Sequence, residues 1–220
     1  MIEAILPPVV AAVGVFGDLS PREDCGLFPA ETAVIARSVA RRRAEFTTVR
    51  LCARRAMDEL GLPPAPLLPG KRGAVSWPDG VTGSMTHCAG YRAAAVARTG
   101  AVASLGIDAE PNRPLPDGVL EVVSLPGERA GLAALARRRP EVCGDRLLFS
   151  AKESVFKTWY PLTRRELDFT EAELDFDPAG AFSARLLVPG PEVAGRRHDT
   201  FCGRWSVGRG FVVTAIALSA

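Results

Sequence analysis

The chain begins its regular patterning with an apolar run, Val9 to Phe16, set behind Glu3 and a Pro7-Pro8 pair. The run has no basic leader and is far too short to span a bilayer, so it reads as a buried strand. Pro29-Ala-Glu31 then opens a helical pattern that continues to about Leu60, where Gly61 and Pro63-Pro64 end it. Within it Phe46, Val49, Ala53, Met57 and Leu60 recur at spacings of three and four, giving one apolar stripe. Arg43, Arg50 and Arg54 form a second stripe, which reads first as a solvated face and second as a phosphate-facing edge.

Residues 61–83 are loop-rich, with Trp77-Pro-Asp-Gly80 as a turn. Gly83-Ser-Met-Thr-His87-Cys88-Ala-Gly90 is small and polar, a flexible stretch leading into a strand from Tyr91 to Ala97. Thr99-Gly100 turns the chain into a further strand, Val102 to Ala109, and so short a connection predicts antiparallel pairing of the two. Pro111-Asn-Arg-Pro-Leu-Pro116 breaks regular structure and marks a boundary between residues 1–110 and 111–220. Beyond it helical patterns cover 119–138 and about Asp145 to Tyr160, with Pro161 as the stop. Strands follow at Glu173 to Phe176 and Phe182 to Val188. Cys202 to Val207 and Phe211 to Leu218 make a hairpin around Gly208-Arg-Gly210. Helices plus an antiparallel sheet in each half make the chain α+β.

Composition narrows the function classes. The 220 residues sum to a formal charge of +2, too balanced for a general nucleic-acid binder. Arg41-Arg42-Arg43 and Arg137-Arg138-Arg139 lack interleaved aromatics, which argues against a stacking platform for single strands. Cys25, Cys52, Cys88, Cys143 and Cys202 are scattered, as free thiols in a reducing cytoplasm would be, and no membrane segment is visible. Arginine dominates the basic residues, yet two of the three lysines fall within 152–157. A compact ammonium suits phosphate contacts that need no bidentate fork.

Two segments carry the candidate chemistry. In Gly106-Ile107-Asp108-Ala109-Glu110 the carboxylates lie at i and i+2, hence on one face of a strand, and hard oxygen donors so placed suit Mg2+. Gly106 before and Pro111 after put the pair at a strand end beside a loop, although an isolated D-x-E is more often a half-exposed strand. In Phe149-Ser-Ala-Lys152-Glu153-Ser-Val-Phe156-Lys157 the Glu153/Lys157 spacing is that of a surface helix pair worth about 0.2–0.5 kcal/mol. Lys152 and Phe156 share the neighbouring stripe, a mixture that a solvated face seldom shows. His87, among Ser84, Thr86 and two glycines, is either a hydrogen-bonded structural residue or a phosphate contact. His198 has no partner motif.

Together, four stretches in order resemble the Sfp-type 4'-phosphopantetheinyl transferases: Arg41 through Arg50, Ser84 to Cys88, Gly106 to Glu110 and Phe149 to Lys157. The His-Cys and Ala-Glu-Pro details are similar to the actinobacterial subgroup typified by enterobactin synthetase component D. The resemblance implies two similar α+β halves related by a pseudo-twofold, with the active site in the cleft between them. It implies transfer of 4'-phosphopantetheine from coenzyme A to a serine of apo acyl or peptidyl carrier proteins, by a cytoplasmic monomer. Asp108, Glu110 and Glu153 would hold Mg2+, or Mn2+ in its place, with Glu153 as base. Arg42, Arg50, Ser84, His87, Lys152 and Lys157 would contact coenzyme A, joined by Lys71 or Arg72 from the loop before the Trp77 turn. A non-catalytic coenzyme A-binding or carrier-docking protein on the same fold is the alternative.

Overall fold

A computed structural model describes residues 1–19 and 26–220, so Cys25 lies outside the described residues. The N-terminal part runs β1 (Ala11–Phe16), α1 (Pro29–Ile35), α2 (Ala40–Glu59), β2 (Leu68–Pro69), β3 (Val75–Ser76), β4 (Val81–Cys88) and β5 (Tyr91–Arg98). β1, β5 and β4 form an antiparallel sheet in that order, and β2 pairs with β3. Helix α2 lays Cys52, Ala53, Ala56 and Met57 on this sheet against Ala94, Val96 and Val81. The apolar stripe is borne out, with Phe46, Val49, Ala53 and Met57 all buried. Alanines at 93–95 and 97 keep β5 thin enough for both its faces to be covered.

Several local expectations are corrected. The single helix from Pro29 is two, because the Ser38 N–H closes a turn on Ile35 O and Val39 takes extended angles as the cap of α2. Serine and a β-branched residue favour such a break over helix interior. The arginine stripe is solvated only at Arg43, which is exposed: Arg50 and Arg54 turn inward onto Glu31, which has no exposed surface. Residues 83–88 are not flexible but the regular strand β4.

The C-terminal part begins with β6 (Val102–Pro111) and continues α3 (Val119–Val123), α4 (Pro126–Arg138), α5 (Gly144–Thr163), β7 (Ala172–Asp177), β8 (Ala181–Leu186), β9 (Glu192–Val193), β10 (Arg196–Arg197), β11 (Thr200–Gly208) and β12 (Phe211–Ser219). The pattern over 119–138 splits because Pro126 forces Leu125 out of helical angles. Pro161, in contrast, rides in the last turn of α5, which ends at Arg164 in a left-handed conformation with its N–H on Tyr160 O. Five strands form an antiparallel sheet ordered β6-β12-β11-β8-β7. Helix α5 covers it with Leu147, Leu148, Ala151, Val155 and Trp159 packed against Phe182, Phe201, Trp205 and Ile216.

The acidic strand therefore pairs with β12 and not with β5. By strand pairing the change of sheet falls at residues 99–101, ahead of the proline-rich segment. The other edge of β6 meets side chains: Ser84 Oγ accepts from Ile107 N and Thr86 Oγ1 from Ala109 N, both at 3.1 Å. These are the N–H groups that point away from β12, and two hydroxyls of β4 satisfy them in place of a backbone ladder. A third core seals the seam, with Ile2, Ile5, Tyr91, Ala93 and Ala95 on one side and Leu105, Ile107, Ala109 and Val213 on the other.

Candidate active site

Alternation along β6 turns Gly106, Asp108 and Glu110 toward α5 and sends Ile107 and Ala109 into the seam core. Gly106 lets the helix come close: a Cβ there would stand 2.0 Å from Ser154 O and 2.3 Å from Thr158 Oγ1. The facing stripe of α5 is made of hydroxyl residues at helical spacing. Ser150 Oγ and Ser154 Oγ lie 3.0 and 2.7 Å from Thr214 Oγ1 of β12, and Ser104 Oγ donates to Thr158 O at 2.8 Å. Small, fully paired side chains thus fix the helix on the sheet.

That close approach delivers Lys157 to the acidic strand. Its Nζ donates to Asp108 Oδ1 at 2.7 Å and to Ile107 O at 3.0 Å, while Thr86 Oγ1 donates to the same Asp108 oxygen at 3.1 Å. Asp108 Oδ2 is buried and has no hydrogen-bond partner among the described residues. Glu110 accepts from Arg146 Nη1 at 3.1 Å, and Arg146 is itself anchored on Arg113 O and Pro114 O. Burial, then the charge of Asp108, pushes the Glu110 carboxyl above its ordinary range against the pull of Arg146 and Lys157. Burial also raises Glu153, with Lys157 opposing the shift and Asp108 adding to it.

Both glutamates therefore feel Asp108, and the excess negative charge is what a divalent cation would relieve. Among the described residues no three carboxylates, imidazoles or thiols converge on one point, so the expected carboxylate triad is not a finished cage. Mg2+ does not require one, because it is commonly held by one or two carboxylates, water and substrate phosphates. A buried, unpartnered oxygen on Asp108 beside two raised carboxyls fits that kind of site.

Two cavities flank these groups. The larger, of about 440 Å3, lies between the halves and is lined by Arg42, Glu45, Arg50, His87, Asp108 and Lys157. It gathers five of the residues singled out from the sequence. Arg42 Nη1 is 2.7 Å from His87 Nε2. Burial first, and the Arg42 charge second, hold the imidazole below its ordinary range. Arg50 stacks over the Phe46 ring at 3.1 Å and donates through Nε to Leu67 O; burial pulls it down to about 10 although Glu31 opposes. The smaller cavity, about 270 Å3, is walled by Glu153, Phe156, Leu167 and Phe169 and has Arg72 and Glu166 at its rim.

Three expected phosphate contacts are placed otherwise. Lys152 borders the smaller cavity but is 4% exposed, and its Nζ meets Glu128 Oε1 at 2.9 Å, Phe169 O at 2.5 Å and Ala172 O at 2.9 Å. An ammonium has three donors, and all are engaged within the C-terminal core. Ser84 spends its oxygen on the seam with β6. Lys71 is exposed and lines neither cavity, whereas Arg72 pairs with Glu166 at 2.5 Å. Two buried glutamates do more than their places in the sequence suggest. Glu31 and Glu128 follow Pro29 and Pro126 at helix starts, where a carboxylate normally serves only as a cap. Each caps a backbone N–H, on Phe28 and Leu125, and also pairs with a buried cation from another helix, Arg50 and Lys152 respectively.

Comparison with known proteins places the chain in a family. Residues 30–97 match the model of the 4'-phosphopantetheinyl transferase N-terminal domain, and residues 104–215 match that of the 4'-phosphopantetheinyl transferase superfamily. The break between the two matches coincides with the change of sheet. The chain is 66% identical over 221 aligned positions to the 4'-phosphopantetheinyl transferase Svp of Streptomyces mobaraensis, covering 100% of this chain and 90% of that one. It is 53% identical to the 4'-phosphopantetheinyl transferase PptT of Mycobacterium tuberculosis, over 86% of this chain and 85% of the relative. With the 4'-phosphopantetheinyl transferase Npt of Nocardia iowensis the identity is 47%, over 99% of both. A two-part α+β chain with an acidic strand facing a lysine-bearing helix, matched along its length in this way, belongs to the 4'-phosphopantetheinyl transferase superfamily.

Proposed function

We propose that the protein moves the 4'-phosphopantetheine arm of coenzyme A onto a serine hydroxyl of an apo acyl or peptidyl carrier protein and releases 3',5'-ADP. The observation that carries this reading is Asp108: its Oδ2 is buried and unpartnered while its Oδ1 holds Lys157 at the wall of a basic cavity. Asp108 and Glu153, joined by Glu110 if Arg146 releases it, would hold Mg2+. When bound, the cation neutralises pyrophosphate charge and polarises the phosphorus under attack.

The rest falls to the chain itself. Arg42, His87 and Arg50 line the larger cavity, where phosphates of coenzyme A find donors from both halves once Lys157 is included. Phe156, Leu167 and Phe169 give the smaller cavity an apolar wall suited to the pantetheine chain. In the reaction the serine oxygen bonds to the β-phosphorus as the bond to the departing 3',5'-ADP breaks. The hydroxyl proton passes to Glu153, whose carboxylate stands at the wall of the smaller cavity. Positioning and charge balance do most of the work in such a transfer. No helix among the described residues is long and apolar enough to cross a membrane.

Purified protein, coenzyme A, Mg2+ and an apo carrier domain are mixed and the carrier's mass is followed. The carrier gains one phosphopantetheine. No gain across several apo carriers defeats the proposal, and coenzyme A binding without transfer favours the non-catalytic reading.

A further inference from the structure

Glu45 is 9% exposed on α2 and lines the larger cavity. A carboxylate on the wall of a phosphate site opposes the ligand's charge, so its presence asks for another role. Its Oε1 accepts from Arg41 Nε at 3.0 Å and lies 3.4 Å from Arg92 Nη2. Its Oε2 is 4.0 Å from Arg42 Nη1 and 3.9 Å from His87 Nε2. Arg92 is buried and fixed independently by Asp18, at 2.9 and 3.3 Å, and by Tyr91 O. Burial acts to raise the Glu45 carboxyl, but the Arg41 hydrogen bond and the charges of Arg92, His87 and Arg41 outweigh it, so the group stays ionised.

The contact between Arg42 and His87 constrains the imidazole. A guanidinium only donates, so at 2.7 Å the Nε2 it faces must carry a lone pair. An imidazolium would set N–H against N–H. The ring is therefore neutral with its proton on Nδ1, and Nδ1–H is the donor left for a ligand. The groups acting on it agree: Arg42 from α2, Arg92 from β5 and Lys157 from α5 disfavour the imidazolium, and Glu45 alone favours it. Arg42 is half exposed, and an arginine so placed samples many rotamers unless something restrains it.

We propose that Glu45 is a positioning residue of the anion site, its charge 4.0 Å from Arg42 Nη1 restraining that guanidinium against His87 and thereby fixing His87 as the neutral Nδ1–H tautomer. The proposal rests on the coenzyme A reading for its ligand. Glu45 touches no substrate; it fixes the aim and protonation of the two groups that do. The same carboxylate, clamped by Arg92, keeps its own charge turned toward guanidinium groups.

The test is Glu45→Gln, which keeps the shape and removes the charge, studied below its melting temperature. Coenzyme A binding is measured by calorimetry without a carrier, the His87 tautomer by 15N-resolved NMR of the free protein, and transfer at saturating coenzyme A. Coenzyme A affinity falls about tenfold, as expected when a charge-assisted contact loses its geometry. Maximal transfer stays within about twofold, since the reacting phosphorus is handled elsewhere. In the NMR spectrum the Nδ1–H pattern gives way to a mixture containing the Nε2–H form. Unchanged or tighter coenzyme A binding overturns the proposal, because removal of the charge alone would strengthen phosphate binding. An unchanged tautomer overturns it as well. If wild-type protein does not bind coenzyme A, the functional reading falls, and the tautomer readout judges Glu45 by itself. Should Glu45→Gln not fold, Glu45→Asp, one methylene shorter, carries the same measurements.

Discussion

Gly106→Ala tests whether the distance between α5 and β6 governs the chemistry. A Cβ at this position would lie 2.0 Å from Ser154 O, 2.3 Å from Thr158 Oγ1 and 2.9 Å from Thr158 N. Two of the three atoms are backbone, so no rotamer change relieves the clash. Restoring ordinary contact requires the helix to retreat by about 1.4 Å. Overpacking of this kind typically costs about 1–3 kcal/mol, and the upper end applies because the obstruction is main chain. For a chain of this size about 3 kcal/mol lowers the melting temperature by roughly 6–12 °C. The retreat carries Glu153 and Lys157 away from Asp108, and a misplacement near 1 Å is worth about a hundredfold in rate.

Gly203→Ala is the control. Its Cβ would meet Phe182 at 2.3 Å and Ala215 O at 2.7 Å, yet it sits on β11, separated from β6 by β12. Both variants are assayed for transfer with saturating coenzyme A and carrier, well below their melting temperatures. Both melt early, but only Gly106→Ala loses about two orders of magnitude in kcat. Near-wild-type kcat in Gly106→Ala, or an equal loss in Gly203→Ala, would show that helix placement is not what sets the rate.

Other outcomes follow from the same geometry. Lys152→Met strands the buried Glu128 carboxylate and should cost about 3–5 kcal/mol in chemical denaturation; coenzyme A affinity measured on the folded variant stays unchanged, and a large loss would return Lys152 to the phosphate site. Asp108→Asn abolishes both transfer and the rise in melting temperature produced by Mg2+ in wild-type protein, and a retained Mg2+ shift refutes the ligand assignment. At pH 8 iodoacetamide labels the exposed Cys202 and spares Cys52 and Cys88, whose thiols burial pushes up to about 11 and about 12. The sparing is lost only as pH rises toward those values, which mass spectrometry of peptides reads directly; rapid labelling of Cys88 at pH 8 contradicts its raised thiol.

Periodicity found the elements whose role is local. The stripe on α2 and the alternation on β8 are each set by one buried face, and a buried face leaves its period in the sequence. The carboxylates of β6 and the Lys157 of α5 were legible for a related reason, since alternation and helical spacing fix which side chains share a face. Helix ends were less legible. Pro126 breaks a helix while Pro161 does not, and the difference lies in how far each stands from the end of its helix.

By itself, then, the sequence determined that an acidic strand face and a basic helix face exist in an α+β chain, and the ordered motifs determined the family. Only the tertiary structure decided which strand lies beside which. Pairing between β6 and β12 spans about a hundred residues of chain, and no local preference encodes a partner so far away. It likewise decided the fate of each charge. Lys152 and Lys157 sit five apart on one helix, yet one closes a core ion pair with Glu128 and the other reaches Asp108. Their surroundings differ because α4 and β7 bury one side of α5 and the cleft opens beside the other, and a charge without water takes the partner that the fold supplies.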